Sequence, residues 1–129
     1  MILVLAWHLN HRAVFVIEKK SFRVKKTIRL PHSPFELLEK LSPKELKKVS
    51  SLCIVFGMKH FSSTRQVALL ANIFAAMFGT KLYVCVSSED ADWNALRLNV
   101  AKALKTKGSN VITPKYSGLP HITKKKNDS

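Results

Sequence analysis

A continuous apolar segment in the middle of the chain limits the folds that this sequence can adopt. Within residues 67–78 only Asn72 is polar, so an α-helix here is apolar on all sides. Residues 52–56 and 82–86, rich in β-branched and aromatic side chains, flank it and are typical of buried strands. This spacing predicts a crossover helix between two parallel strands. Because a surface helix needs a polar outer side, we expect the helix to be covered by another part of the chain or by another protein.

The composition favours one domain with a buried core. The chain has 129 residues, of which 47% are hydrophobic. The apolar segment is shorter than the ~20 residues that a membrane-spanning helix needs. The opening sequence MILVLAWHLNH lacks the basic start and cleavage site of a signal peptide, so we expect a first strand there. Cys53 and Cys85 lie in predicted buried strands, which predicts structural thiols and a reducing, cytoplasmic location.

The charge of the chain favours a polyanionic partner. Lys and Arg number 22 against 8 Asp and Glu, which gives a net charge of +14. Such a charge is typical of proteins that contact nucleic acid or an acidic protein. The alternative is that it serves only solubility, and both remain open because charge alone does not define a site.

Three strands are expected before the apolar segment. Residues 2–6 and 13–17 are short apolar runs, and residues 22–30 alternate between apolar and polar side chains. The alternation puts four side chains of the third strand on one face: Phe22, Val24, Ile28 and Leu30. Lys26 is a charged exception on that face and indicates an edge strand or a strand end.

Helices are expected between and after the strands. Ser33-Pro34-Phe35-Glu36 and Ser42-Pro43-Lys44-Glu45 both have the sequence of a capping box with proline in the first helical turn. A last helix follows, with apolar residues on one face: Trp93, Leu96, Val100 and Leu104. We therefore predict an α/β domain at residues 1–105, of order βββα(α)βαβα with a mixed sheet, and a basic extended tail at residues 106–129. This order is that of a ribonuclease-H-like or actin-like half domain, one option among several α/β folds.

The turn before the apolar helix resembles a family motif. Residues 57–65 read GMKHFSSTR and occupy the place of GPGSFTGLR in the TsaB (YeaZ) family. Gly57, Phe61 and Arg65 match that motif, and Ser62 replaces its threonine. The opening MILVL, the strand ending VSS at residues 86–88 and the tail segments PKY and LPHITK are also similar to the family.

The chain departs from the family in three respects. The aspartate that closes the first strand in the family is Ala6 here, and Lys59 and Ser63 replace two glycines of the motif. The second α/β half of the family is absent. The resemblance therefore implies a short, divergent member with a degenerate motif, of which Gly57, Phe61, Ser62 and Arg65 are the residues that match or are conservatively replaced.

The resemblance implies a non-catalytic role in tRNA modification. Proteins of the TsaB family are inactive paralogues that pair through helices with TsaD and support synthesis of threonylcarbamoyladenosine in tRNA. It implies a TsaD-like partner, with a homodimer as the alternative, and a partner interface made by seven residues: Leu37, Leu38, Ala68, Ala71, Asn72, Ala75 and Phe78. A nucleic-acid-binding module or homodimer of the same fold, outside this pathway, remains the alternative function.

Enzyme chemistry is not expected. An actin-like ATPase needs a carboxylate at the first strand and a second lobe, and the carboxylates of this chain lie mostly at helix starts, turns and the tail. We expect no catalytic residue, no metal and no cofactor. Six basic residues are candidate RNA contacts: Lys59, His60, Lys115, Lys124, Lys125 and Lys126. The alternatives for these six are helix capping, partner contact and a solvated tail.

Overall fold

Five strands form one mixed sheet. A computed structural model describes residues 1–6, 12–56, 61–87 and 92–112, and only the backbone of residues 61–64. The strands are β1 (Ile2–Ala6), β2 (Ala13–Ile17), β3 (Val24–Arg29), β4 (Ser51–Phe56) and β5 (Lys81–Val86). Their order across the sheet is β3-β2-β1-β4-β5. β2 is antiparallel to β1 and β3, and β4 is parallel to β1 and β5. The predicted α/β class with a mixed sheet is confirmed.

Helices cover both faces of the sheet. A 3-10 turn at Pro34–Glu36 continues into α1 (Leu37–Lys40), and the other helices are α2 (Pro43–Lys48), α3 (Phe61–Phe78) and α4 (Trp93–Leu104). Buried residues of α1, α2 and α3 pack on one face, which we call the first face. Buried residues of α4 pack on the other, the second face. None of the helices in the described part of the chain is long and apolar enough to cross a membrane.

The two central strands explain why both faces are covered. Every residue of β1 is buried, and so are residues 52–56 of β4. Leu3 and Leu5 point to the first face, and Ile2 and Val4 point to the second. Such continuous apolar runs are typical of parallel strands with helices on both sides.

β3 differs from the sequence-based expectation because it contains a β-bulge. Val16 pairs with Lys26 and Ile17 pairs with Val24, so Lys25 has no partner on β2. The extra residue moves Val24 to the second face, where Phe22 also packs, whereas Ile28 and Leu30 lie on the first face. The prediction that these four residues share one face is therefore wrong. The interpretation of this segment as an edge strand is confirmed.

The two capping boxes form as their sequences predict. The Ser33 hydroxyl accepts a hydrogen bond from the Phe35 N–H (3.1 Å), and the Glu36 carboxylate accepts one from the Ser33 N–H (2.8 Å). Ser42 and Glu45 exchange the equivalent bonds at 3.2 and 3.0 Å. The bonds from the Ser33 and His32 backbone lower the pKa of Glu36. Each box satisfies amide groups that a short helix otherwise leaves without partners.

The chain after α4 lies along β5. Leu82 and Ser109 exchange two backbone hydrogen bonds of 2.8 and 2.9 Å, and Ile112 is buried in the first-face core. Gly108 has a φ of +74°, a conformation that favours glycine, and a Cβ there would crowd the Tyr83 ring at 3.0 Å. Residues 106–112, assigned from the sequence to the tail, thus contact the sheet edge. Residues 113–129 lie outside the described residues.

Phe74 tests the assignment of the buried side of α3. Its ring is 0% exposed, so Phe74→Ala should lower the free energy of unfolding by about 3–5 kcal/mol. Met77, on the same helix but 69% exposed, provides the control, and Met77→Ala should change it by less than about 0.5 kcal/mol. Urea unfolding followed by circular dichroism measures both. Equal losses in the two variants would contradict the assignment.

Candidate functional site

α3 exposes apolar side chains on the side that points away from the sheet. Its inner side consists of residues buried in the first-face core: Val67, Ala68, Leu70, Ala71 and Phe74. On the opposite side Leu69 is 55% and Met77 69% exposed, with Ala76 exposed and Ile73 half-buried between them. We call Gln66, Leu69, Ile73, Ala76 and Met77 the outer face of α3.

The outer face forms a single row on the helix. Gln66, Leu69, Ile73 and Ala76 are separated by steps of three and four residues, which places them one above the other. From Gln66 to Met77 the row is about 16 Å long at 1.5 Å per residue. Four of its five side chains are apolar. An apolar ridge of this kind is what a partner helix or groove contacts.

The structure changes which residues of α3 can contact a partner. Of the seven residues predicted for the partner interface, Ala68, Ala71 and Leu37 are 2%, 0% and 0% exposed. They belong to the core of the chain itself and present no surface. The inner side of α3 is also wider than one stripe, because the 3-10 turn at Pro34–Glu36 packs against α3 beside the sheet.

Three more of the predicted interface residues are partly buried. Leu38, Ala75 and Phe78 pack against the first-face core. The Phe78 ring lies 5.7 Å from the Phe74 ring, centroid to centroid. These three residues lie beside the core, so each can offer only part of its surface to a partner.

Asn72, the seventh predicted interface residue, binds another part of the chain. Its side-chain oxygen accepts a hydrogen bond from the Ile112 N–H (2.7 Å), and its side-chain nitrogen donates to the Ile112 carbonyl (3.1 Å). The two bonds hold the segment that follows α4 against α3. The single polar residue of the apolar segment is therefore explained by this contact within the chain.

Most of the degenerate motif lies where the structure is not described. Gly57, Lys59 and His60 are outside the described residues, and Phe61 and Ser62 are described as helical backbone only. Arg65 lies exposed in the first turns of α3. The other predicted RNA contacts, Lys115 and residues 124–126, also lie outside the described residues. The arrangement of these groups therefore stays a prediction.

The two cysteines are buried in neighbouring strands. Cys53 on β4 and Cys85 on β5 are 0% and 5% exposed and unpaired, in the second-face core. Burial raises the pKa of both thiols above their ordinary value. Within residues 1–6, 12–56, 61–87 and 92–112, no three His, Cys, Asp or Glu side chains are grouped as a metal site would require.

Comparisons with known proteins found no relative of this chain. The chain has no significant match among protein-family models, curated proteins or solved structures. The assignment of a function therefore depends on the residues and the fold themselves.

The hydrogen bonds of Asn72 lead to a prediction about the segment that follows α4. Asn72→Ala leaves the N–H and carbonyl of Ile112 without their partners, which should cost about 1–3 kcal/mol locally. We expect faster hydrogen exchange at residues 109–112 and unchanged exchange in β1, measured by mass spectrometry. Gln66→Ala, on the outer face, is the control. Unchanged exchange at residues 109–112 would show that Asn72 does not hold this segment.

The burial of the two thiols leads to a prediction about their reactivity. A thiol with a raised pKa stays protonated at neutral pH, and burial also excludes reagents. Cys53 and Cys85 should therefore react with Ellman's reagent at pH 8 only as fast as the protein unfolds, and freely in urea. Rapid reaction of either thiol in the folded protein would place it at the surface.

Proposed function

We propose that the chain is a non-catalytic subunit that pairs with a TsaD-like protein in the synthesis of threonylcarbamoyladenosine in tRNA. The observation that carries the proposal is the outer face of α3. Four of its five side chains are apolar, they form a continuous row, and Leu69 and Met77 are more than half exposed. The core of a protein–protein interface is likewise apolar and depleted in charge.

The topology of the sheet supports the finer fold assignment. Three antiparallel strands are followed by two parallel strands, in the order β3-β2-β1-β4-β5. α1, α2 and α3 lie on the first face, and α4 lies on the second. This arrangement is similar to a ribonuclease-H-like or actin-like half domain. It agrees with the resemblance of residues 57–65 to the motif of the TsaB family, which pairs with TsaD through the first helices of this half.

The two cysteines bear on the location of the protein in the cell. Cys53 and Cys85 are free thiols in adjacent strands. Unpaired buried cysteines fit a reducing compartment, and we propose a cytoplasmic protein without chemistry of its own.

Charged substitutions on the outer face test the pairing. The double variant Leu69→Glu/Met77→Glu places two carboxylates on the apolar row and should weaken capture of the cognate TsaD-like protein at least tenfold. Leu98→Glu is the matched control, because Leu98 is a 67% exposed leucine on α4, on the second face. It should leave capture within twofold. Co-purification and titration calorimetry measure the pairing, and thermal melts check that all variants fold.

Two results would overturn the proposal. If the native chain does not bind the TsaD-like protein, that protein is not its partner. If Leu98→Glu weakens binding as much as the double variant does, the outer face is not the interface. Sedimentation of the native chain alone tests the alternative, a homodimer through the same row. Dissociation of that dimer by the double variant would assign the outer face to self-association.

A further inference from the structure

A basic cleft lies at the end of the sheet where β1, β4 and β5 begin. The turn between β2 and β3 reaches this end, and the Met1 nitrogen donates to the Lys48 carbonyl (2.9 Å), which places the end of α2 there. The Lys81 N–H donates to the Ser50 carbonyl (3.0 Å), so the start of β5 lies beside it. We call this end of the molecule the basal end.

The cleft has a volume of about 320 Å³, and three of the eight residues that line it are lysines, while Met1, Ile2 and Ile17 form its apolar part. Lys19, Lys20 and Lys25 contribute to its walls, together with Ser50 and one carboxylate, Glu18. The three lysines are exposed. Lys25 is the residue of the β-bulge and has no partner on β2, and Lys19 and Lys20 form the turn beside it. The turn and the bulge therefore bring Lys25 to the same cleft as the adjacent pair Lys19 and Lys20.

Two further lysines, which do not line the cleft, lie close to a carboxylate of α2. Lys26 and Lys48 lie near Glu45, whose pKa is lowered first by the hydrogen bonds from Ser42 and then by these two charges. The Glu45 carboxylate already accepts a hydrogen bond from the Ser42 N–H (3.0 Å) as part of the capping box. Only Glu18 in the cleft wall opposes its three lysines. The basal end therefore carries an excess of positive charge that is available to an anion.

The composition of this surface distinguishes between classes of partner. The large apolar side chains that are exposed in the described residues are Leu69, Met77, Val86, Leu98 and Val111. None of them lines the cleft, whose apolar lining residues are Met1, Ile2 and Ile17, and Ile2 and Ile17 are buried. An interface with an acidic protein needs an apolar core, whereas interfaces with nucleic acid are polar and strongly positive. Lysines on an open surface are suited to contact successive backbone phosphates as point charges.

We propose that the basal cleft binds the phosphate backbone of a nucleic acid through Lys19, Lys20 and Lys25. These residues are different from the RNA contacts expected at residues 59–60 and in the tail. The inference does not depend on pairing through α3, because the cleft is built from β1, β2, the β2–β3 turn and β3. It would hold for the isolated chain.

Two triple variants with the same change in charge test the proposal. Lys19→Gln/Lys20→Gln/Lys25→Gln removes three charges from the cleft. Arg97→Gln/Lys102→Gln/Lys105→Gln removes three exposed charges from α4 and the residue after it. Fluorescence anisotropy of the full chain with labelled tRNA and with single-stranded RNA, in a series of salt concentrations, gives affinities and salt slopes. Thermal melts check folding of both variants.

The cleft variant should bind at least tenfold more weakly, and its salt slope should fall by about 2. The α4 variant should remain within twofold of the native chain in affinity. Equal losses in both variants would assign binding to the overall charge and overturn the proposal, as would no binding by the native chain.

Competition with other anions shows whether the cleft prefers nucleic acid to other negatively charged ligands. Inorganic phosphate, vesicles with anionic lipid and polyglutamate are tested as competitors of RNA. We expect none of them to displace RNA at equal concentration of charge. Displacement by any one of them would overturn the assignment to nucleic acid, and a labelled DNA strand of equal length shows whether the sugar matters.

Discussion

The parallel pairing of β1 with β4 is the constraint on which the rest of the structure depends. It puts two strands at the centre of the sheet that are apolar at every residue except Ser51, and both of their faces must be removed from water. A parallel pair also needs a crossover connection, which the turn and short helices between β3 and β4 provide on the first face. The second face then requires α4. The layered arrangement thus follows from two short apolar strands.

The same constraint does not explain the outer face of α3. The crossover from β4 to β5 needs a helix with one apolar side, and Phe74 and its neighbours supply it. A polar outer side would satisfy the fold equally well, because Leu69 and Met77 contribute little to the core. Exposed apolar side chains favour association. Their presence in a row is therefore the observation on which the proposed contact with a partner rests.

Much of the fold could be predicted from local sequence patterns. The features that depend on non-local contacts could not. The strands and both capping boxes follow from short segments, since apolar runs and Ser-Pro-x-Glu act within a few residues. The bulge at Lys25 depends on pairing with β2, and the bonds of Asn72 join residues 40 apart. An apolar helix has no sequence pattern to show which side is buried, so Ala71 and Leu69 could not be distinguished.

The two candidate surfaces differ in both chemistry and position. The outer face of α3 is apolar and lies on the side of β4 and β5, whereas the basal cleft is cationic and lies at β1, β2 and the β2–β3 turn. Binding at one surface therefore leaves the other accessible. Salt weakens contacts with phosphate but not the burial of apolar surface, so the two can vary independently. Under the two proposals, the chain contributes by holding a nucleic acid and a partner protein at the same time.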